Sequence, residues 1–378
     1  MKTLRLYYAT NRNHLGDDKW HPTGYGPKFS DSGSQNLRFG RLGIEVDETR
    51  IAAALATDTG YGPGDGNELE NYFKPLVATA DIRAFPEGID PTKPETLQPG
   101  AQFGSLAMFA ELQTAMCEAN DVLLYVHGFN VSWADAVSSA LALQVSLNQD
   151  DRGKPTQNVL VVLFSWPSDG MALPFASYMS DRHDAATSGP AVARALLKAR
   201  DFLRTIAKPD QCDQELHLLC HSMGNYVLQN ALAHMAEYTP GNTFPRLFEH
   251  IFLCAPDVDD TALEPGHPLG SVHELALYVT VYYNRGDKAM YISNYTKGNP
   301  ERLGHNGAAR PALLHNKVNQ VDCTGIVDGL VEHSYYQNGW VNQDIRYSIA
   351  SLSFEDLIRN RERSRELPNV WEMVRPRV

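Results

Sequence analysis

Apolar residues gather from residue 121 onward into short unbroken runs, separated by stretches with helical spacing. The runs are Val122–Val126, Val159–Phe164, Leu216–Cys220, Ile251–Cys254, Leu275–Tyr283 and Val318–Val321. Strands covered on both faces require continuous rather than alternating hydrophobicity, so these runs predict a mainly parallel sheet. Trp133, Val137, Ala140 and Leu141 mark one intervening helix; Val192, Leu196, Ala199, Leu203 and Ile206 mark another at i, i+4, i+7 spacing. Ahead of this region, Leu4–Ala9 and Arg38–Val46 predict two early strands, paired antiparallel. Asn11–Asn36 and Thr57–Asn67 are polar and glycine-bearing and read as surface loops. Gly60, Gly62, Gly64 and Gly66 suggest a phosphate cradle, but no Gly-Lys-Ser/Thr follows and no helix is expected behind them. The charge-rich stretch Phe354–Leu367 predicts a surface helix. No repeat or compositional break divides residues 121–340. The chain therefore reads as one domain over 1–378, with amino-terminal strands and insertions (1–118), a core (119–340) and a helical tail (341–378).

Composition narrows the function classes. Hydrophobic residues make up 43% and charged residues 21% of the 378 positions, which fits a soluble protein with a sizeable core. A formal net charge of −12 argues against nucleic acid or an anionic membrane as partner, since both would repel the chain. Five cysteines form no CxxC pair, which favours a reducing compartment. No stretch like a signal peptide follows Met1 and no window is apolar enough for a membrane span, so a cytoplasmic location is expected.

The chemistry begins where one strand stops. In Leu216-His217-Leu218-Leu219-Cys220-His221-Ser222-Met223-Gly224 the apolar run ends at Ser222, and Val227, Leu228, Ala231, Leu232 and Met235 then recur at helical spacing. A sharp strand-to-helix turn pushes a serine side chain out at the carboxyl edge of a sheet and aims backbone N–H groups at an adjacent oxyanion. Cys220 stands where the G-x-S-x-G pattern has its first glycine and is small enough for the tight packing. The strand Val122–Val126 ends in His127-Gly128-Phe129-Asn130, where Gly128 lets the Phe129 N–H face the same cavity as the Met223 N–H. Two such donors make an oxyanion hole.

A serine hydroxyl is a poor nucleophile at neutral pH and needs a base, which needs an orienting acid. With this kind of turn the partners follow in the order serine, acid, histidine. Asp287 lies in the turn Asn284-Arg285-Gly286-Asp287-Lys288 after one later strand. His333 is the only histidine beyond Val318–Val321 and is the candidate base. Asp257, in Ala255-Pro256-Asp257 after the preceding strand, is the alternative acid. Trp166 and Tyr335 are expected to line the substrate pocket, and an Asp181–Arg182 ion pair to fix a cap over 170–188. The loop Asn294–Arg310 is a candidate lid. His267, His273, His305 and His315 lack metal-ligand spacing, so no metal is expected.

The motifs run from Tyr8-Ala9-Thr10-Asn11-Arg12 through Tyr125-Val126-His127-Gly128-Phe129-Asn130, Phe164-Ser165-Trp166-Pro167-Ser168, His221-Ser222-Met223-Gly224-Asn225 and Asp287-Lys288-Ala289-Met290 to His333-Ser334-Tyr335. In this order they resemble the α/β-hydrolases and, more narrowly, the bacterial family of alpha/beta hydrolases of unknown function. The resemblance covers most of residues 8–336 and implies an α/β fold, a mainly parallel sheet flanked by helices, with a Ser–Asp–His triad. It implies no substrate, and the long segments 11–36 and 57–118 depart from the family pattern. The expected activity is that of a serine hydrolase. It would cleave a carboxylic ester of a neutral, small to medium substrate through an acyl-enzyme, without metal or organic cofactor. An amidase or thioesterase would use the same motifs, and a non-catalytic binding protein on the same scaffold is the reading from a different class.

Overall fold

A computed structural model describes the chain except for residues 120, 150–157, 169–173, 206–213, 240, 242, 291–300, 328–332 and 377–378. In chain order the strands are β1 (Lys2–Thr10), β2 (Arg12–Leu15), β3 (Gly24–Phe29), β4 (Arg38–Val46), β5 (Asp81–Ala84), β6 (Asp121–Val126) and β7 (Val159–Ser165). They continue with β8 (Glu215–His221), β9 (Phe248–Cys254), β10 (Ala276–Tyr283), β11 (Val318–Asp322), β12 (Arg361–Arg363) and β13 (Val370–Met373). The longer helices are α1 (Glu48–Ala56), α2 (Gly66–Leu76), α3 (Gly104–Met116), α4 (Trp133–Leu147), α5 (Pro174–Thr205), α6 (Gly224–Tyr238) and, near the end, Gly339–Ile349.

The unbroken apolar runs become neighbouring strands. The main sheet has the order β12-β13-β11-β10-β9-β8-β6-β7-β1-β4-β5. The stretch from β13 to β1 is parallel throughout, while β12 at one edge and β4 with β5 at the other are antiparallel to their neighbours. Helices cover both faces, as a parallel sheet requires. On one face Leu69 and Phe73 of α2, Val137, Leu141 and Leu147 of α4 and Ile345 pack together. On the other, Met108 of α3, Val192 and Leu196 of α5 and Val227 and Leu232 of α6 do so. Helix α4 starts at a reciprocal capping box between Ser132 and Asp135. No described helix is long and apolar enough to cross a membrane.

Several expected loops and ends turn out otherwise, because their apolar partners lie far away in sequence. Within Asn11–Asn36, β2 and β3 pair as a small antiparallel sheet that buries Arg12 and Tyr25. A helix does open here: Gly66, the last of the four glycines, is the first residue of α2, and Asp65 accepts from the Glu68 N–H and caps it. Helix α5 runs unbroken through Gly189 and Pro190, so residues 174–188 of the expected cap are its first turns. Gly189 is the contact point with α6, where a Cβ would come within 2.7 Å of the Asn230 Cβ.

The tail departs furthest from expectation. Phe354–Leu367 is not a surface helix but a 3-10 turn, Leu357–Arg359, followed by strand β12. Two of its charges, Arg359 and Arg361, point inward. Asp344, fully buried, accepts from Arg359 Nε at 2.8 Å, Arg361 Nη1 at 3.2 Å and Tyr282 Oη at 2.7 Å. Burial alone would raise its carboxyl pKa, but the two guanidiniums outweigh burial and hold it below the ordinary value. This cluster returns the chain to the sheet, where β13 pairs with β11.

Removing one partner of a buried ion cluster strands the others without compensation. Asp344→Ala is therefore expected to lower unfolding stability by about 3–5 kcal/mol in a urea titration. Glu48→Ala, at the exposed Lys2–Glu48 pair, is expected to cost under about 1 kcal/mol.

Candidate active site

Strand β8 is buried from His217 to His221, and the chain then turns sharply at Ser222, whose φ is 51°. That left-handed conformation costs a side-chain-bearing residue roughly 1–3 kcal/mol and persists only where the surroundings enforce it. Here they do. The Ser222 N–H donates to the Cys254 carbonyl (2.9 Å), and the Ser222 carbonyl accepts from the Asp257 N–H (3.1 Å). Asn225 Nδ2 donates to the carbonyls of Cys220 (2.9 Å) and Ser222 (3.0 Å). The two flanking glycines have steric reasons. A Cβ on Gly224 would lie 2.6 Å from the Val126 carbonyl oxygen, and one on Gly128 would lie 2.9 Å from the Ser222 Cβ. The turns after β6 and β8 thus touch through bare backbone. Among the described residues no acceptor is hydrogen-bonded to the N–H of Phe129 or Met223, so both donors are free for a ligand.

Asp287 and His333 come together across 46 residues of sequence, with His333 Nδ1 2.6 Å from Asp287 Oδ2. The carboxylate is fully buried, and its other oxygen accepts from the backbone N–H groups of Ala289 (2.9 Å) and Met290 (3.3 Å). With Nδ1–H donated to the carboxylate, a neutral His333 ring carries its lone pair on Nε2. The ring packs against His221, the residue before Ser222, with centroids 4.6 Å apart. His221 Nε2–H donates to the His333 carbonyl (3.2 Å), and burial, then the nearby His333, pull the His221 pKa well below its ordinary value. Asp257 is engaged elsewhere: Tyr178 Oη donates to its Oδ2 (2.7 Å), and Arg302 Nε lies 3.3 Å from its Oδ1.

The remaining expectations fare differently. Trp166 is fully buried, donates Nε1–H to the His127 carbonyl (2.9 Å) and stacks on the His127 ring at 5.2 Å. Tyr335 is also buried and donates to the Tyr282 carbonyl (3.0 Å). Both hold backbone carbonyls in place where pocket-lining roles were expected. Asp181 and Arg182 do not pair. Asp181 accepts from Ser168 Oγ and the Asn130 N–H, while Arg182 lies over the Tyr226 ring at 3.7 Å. Arg302 is buried between Asp257 and Asp259. Residues 294–300 of the expected lid lie outside the described residues.

Sequence reasoning assigned no role to Arg12, which anchors the floor of the site. Its Nε donates to Ser165 Oγ (2.9 Å) and its Nη2 to the Val131 carbonyl (2.7 Å). Next to it, His127 donates Nδ1–H to the Gly128 carbonyl (2.8 Å). The signal was the polar run Thr10-Asn11-Arg12 at the end of an apolar strand. Between the sheet and helices α3, α5 and α6, an apolar cavity of about 120 Å³ is walled by Leu112, Val122, Val126, Leu196, Leu218 and Val227; none of Ser222, Asp287, His333, Phe129 and Met223 lines it.

Residues 107–343 match the family described as alpha/beta hydrolase of unknown function (DUF900). Among solved structures, one described as a cell surface hydrolase from Lactobacillus plantarum WCFS1 is similar. It has 15% identity and a TM-score of 0.35, covering 64% of this chain and 96% of that one. No curated protein matches the chain.

His127 also gives the fold a pH dependence. Burial, and after it Arg12, push its pKa from the ordinary 6.5 down to about 3. Below pH 6.5 the unfolded chain takes up a proton here that the folded chain refuses until about pH 3, so stability falls as pH falls through that window. One such group contributes a slope of about 1.4 kcal/mol per pH unit. Urea unfolding between pH 7 and pH 4.5 is expected to show a shallower pH dependence for His127→Gln than for the unaltered chain. Equal slopes would remove His127 as the source.

Proposed function

The chain belongs to the alpha/beta hydrolase family of unknown function, and we propose that it is a serine hydrolase that cleaves carboxylic esters through an acyl-enzyme. One observation carries this reading: the buried Asp287 carboxylate holds Nδ1 of His333, whose ring packs beside the strained Ser222 turn. In the proposed reaction Ser222 Oγ attacks the acyl carbonyl and His333 Nε2 takes its proton. Asp287 stabilises the imidazolium, and the N–H groups of Phe129 and Met223 receive the oxyanion. The alcohol leaves with the proton from His333. Water, activated by the same ring, then releases the acid and restores Ser222.

The proposed substrate carries a neutral acyl group of short to medium length. Amide and thioester hydrolysis use the same parts. The oriented base favours an enzyme over a non-catalytic binding protein on this scaffold.

Two measurements check the proposal. Ser222→Ala is expected to abolish both hydrolysis of small chromogenic esters and labelling by a fluorophosphonate. Full labelling of that variant would end the serine-hydrolase reading. Asp287→Asn is expected to lower turnover by about 10³–10⁴-fold with the fold intact. Asp257→Asn is expected to act mainly on stability, through Arg302 and Tyr178; the reverse ranking would make Asp257 the acid. Rates across an acyl series should peak at short to medium chains. A continued rise toward long emulsified chains would replace this reading with a lipase.

A further inference from the structure

The opposite end of the same strands carries a second cluster. Asp121 opens β6, Glu215 opens β8, and the two are register partners; His217 follows Glu215 by two positions, on the same side of the strand. Their ligand atoms (one carboxylate oxygen each and one imidazole nitrogen) all lie within 4.8 Å of one another. His217 is fully buried, and among the described residues neither of its ring nitrogens has a hydrogen-bond partner. An unsatisfied buried polar group is uncommon in a native structure, and each one asks for a partner. His217 Nε2 lies 3.8 Å from Asp121 Oδ1. That is too long for a hydrogen bond but close to the ~3.4 Å separating two donors that each sit ~2.1 Å from a tetrahedral ion. The Asp121 carboxylate is already oriented by the Glu215 N–H, which donates to Oδ1 at 3.0 Å, as outer hydrogen bonds orient metal ligands.

We propose that Asp121, Glu215 and His217 form a binding site for one divalent transition-metal ion, with Zn²⁺ the best match. Two carboxylates balance the charge of a divalent ion, and a neutral imidazole supplies the nitrogen that separates Zn²⁺ from Ca²⁺ or Mg²⁺. Three protein ligands leave a fourth position for water. His250, the register partner of His217, lies beside it with ring centroids 5.5 Å apart. The ion's role is structural. Glu215 precedes Ser222 by seven positions along an extended strand, about 23 Å at ~3.3 Å per residue, so the ion clamps the starts of β6 and β8 away from the reaction. Motif spacing hides the site, since its third ligand comes from a strand 94 residues earlier.

The test uses the full chain, stripped with a chelator and dialysed, with Zn²⁺ alone as the probe. Isothermal titration and native mass spectrometry are expected to show one Zn²⁺ per chain, and Zn²⁺ is expected to raise the thermal midpoint. Glu215→Gln, at a partly exposed position, and Asp121→Asn are each expected to weaken binding at least tenfold and to abolish the thermal shift. Absence of stoichiometric Zn²⁺ in the unaltered chain would overturn the proposal. So would undiminished affinity in both variants, which would assign the ion to histidines elsewhere.

Discussion

The geometry of the candidate site rests on one backbone constraint: the turn after β8 must pass between the ends of β6 and β9 at contact distance. Gly224 lies against the Val126 and His127 carbonyls, and Gly128 lies against the Ser222 side chain. Neither approach tolerates a Cβ. The consequence is written in the dihedrals. Three consecutive neighbours in the sheet end in non-glycine residues with positive φ: Asn130 after β6 (59°), Ser222 after β8 (51°) and Ala255 after β9 (44°). Strain concentrated at one edge of a sheet is worth its destabilisation only where the surroundings over-determine it.

What over-determines it is a layer of buried polar groups behind the turns. Arg12, arriving from the end of β1, donates to Ser165 beyond which Trp166 fixes the His127 carbonyl. Asp181 reaches back from α5 to the Asn130 N–H, while Asp257 holds the Ser222 carbonyl through its own backbone. Each contact satisfies a group that a strained turn would leave without its regular partner. A buried network of this kind rigidifies only if its members keep compatible charge. His127, held neutral beside the Arg12 guanidinium, meets that condition at physiological pH.

This division of labour explains what the sequence made legible. Apolar runs declare buried strands because burial on both faces leaves a local signature, and the Ser222 turn declares itself because strand, serine, glycine and helix are contiguous. Residues whose partners lie far off in sequence carry no such mark. Helix α2 depends on an apolar face against α4, and Arg359 and Arg361 look like surface charges until Asp344 is seen between them. Trp166 and Tyr335 were expected to line the substrate pocket. Their roles lie in the backbone carbonyls they hold, which no pattern of side chains reveals.

The two candidate acids show the same limit in its sharpest form. Both follow a parallel strand, and both are buried. An aspartate that is to stabilise an imidazolium must keep its charge uncommitted to another cation, since a guanidinium already in contact cancels most of the field it would exert. The Asp257 carboxylate lies between Arg302 and Tyr178, and Arg302 also binds Asp259, so that turn is a closed ion cluster of structural use. The Asp287 carboxylate takes its support from two backbone N–H groups on one oxygen and turns the other oxygen to His333. Sequence position alone could not separate them. The partners of each carboxylate do, and they favour Asp287 as the acid of the proposed reaction.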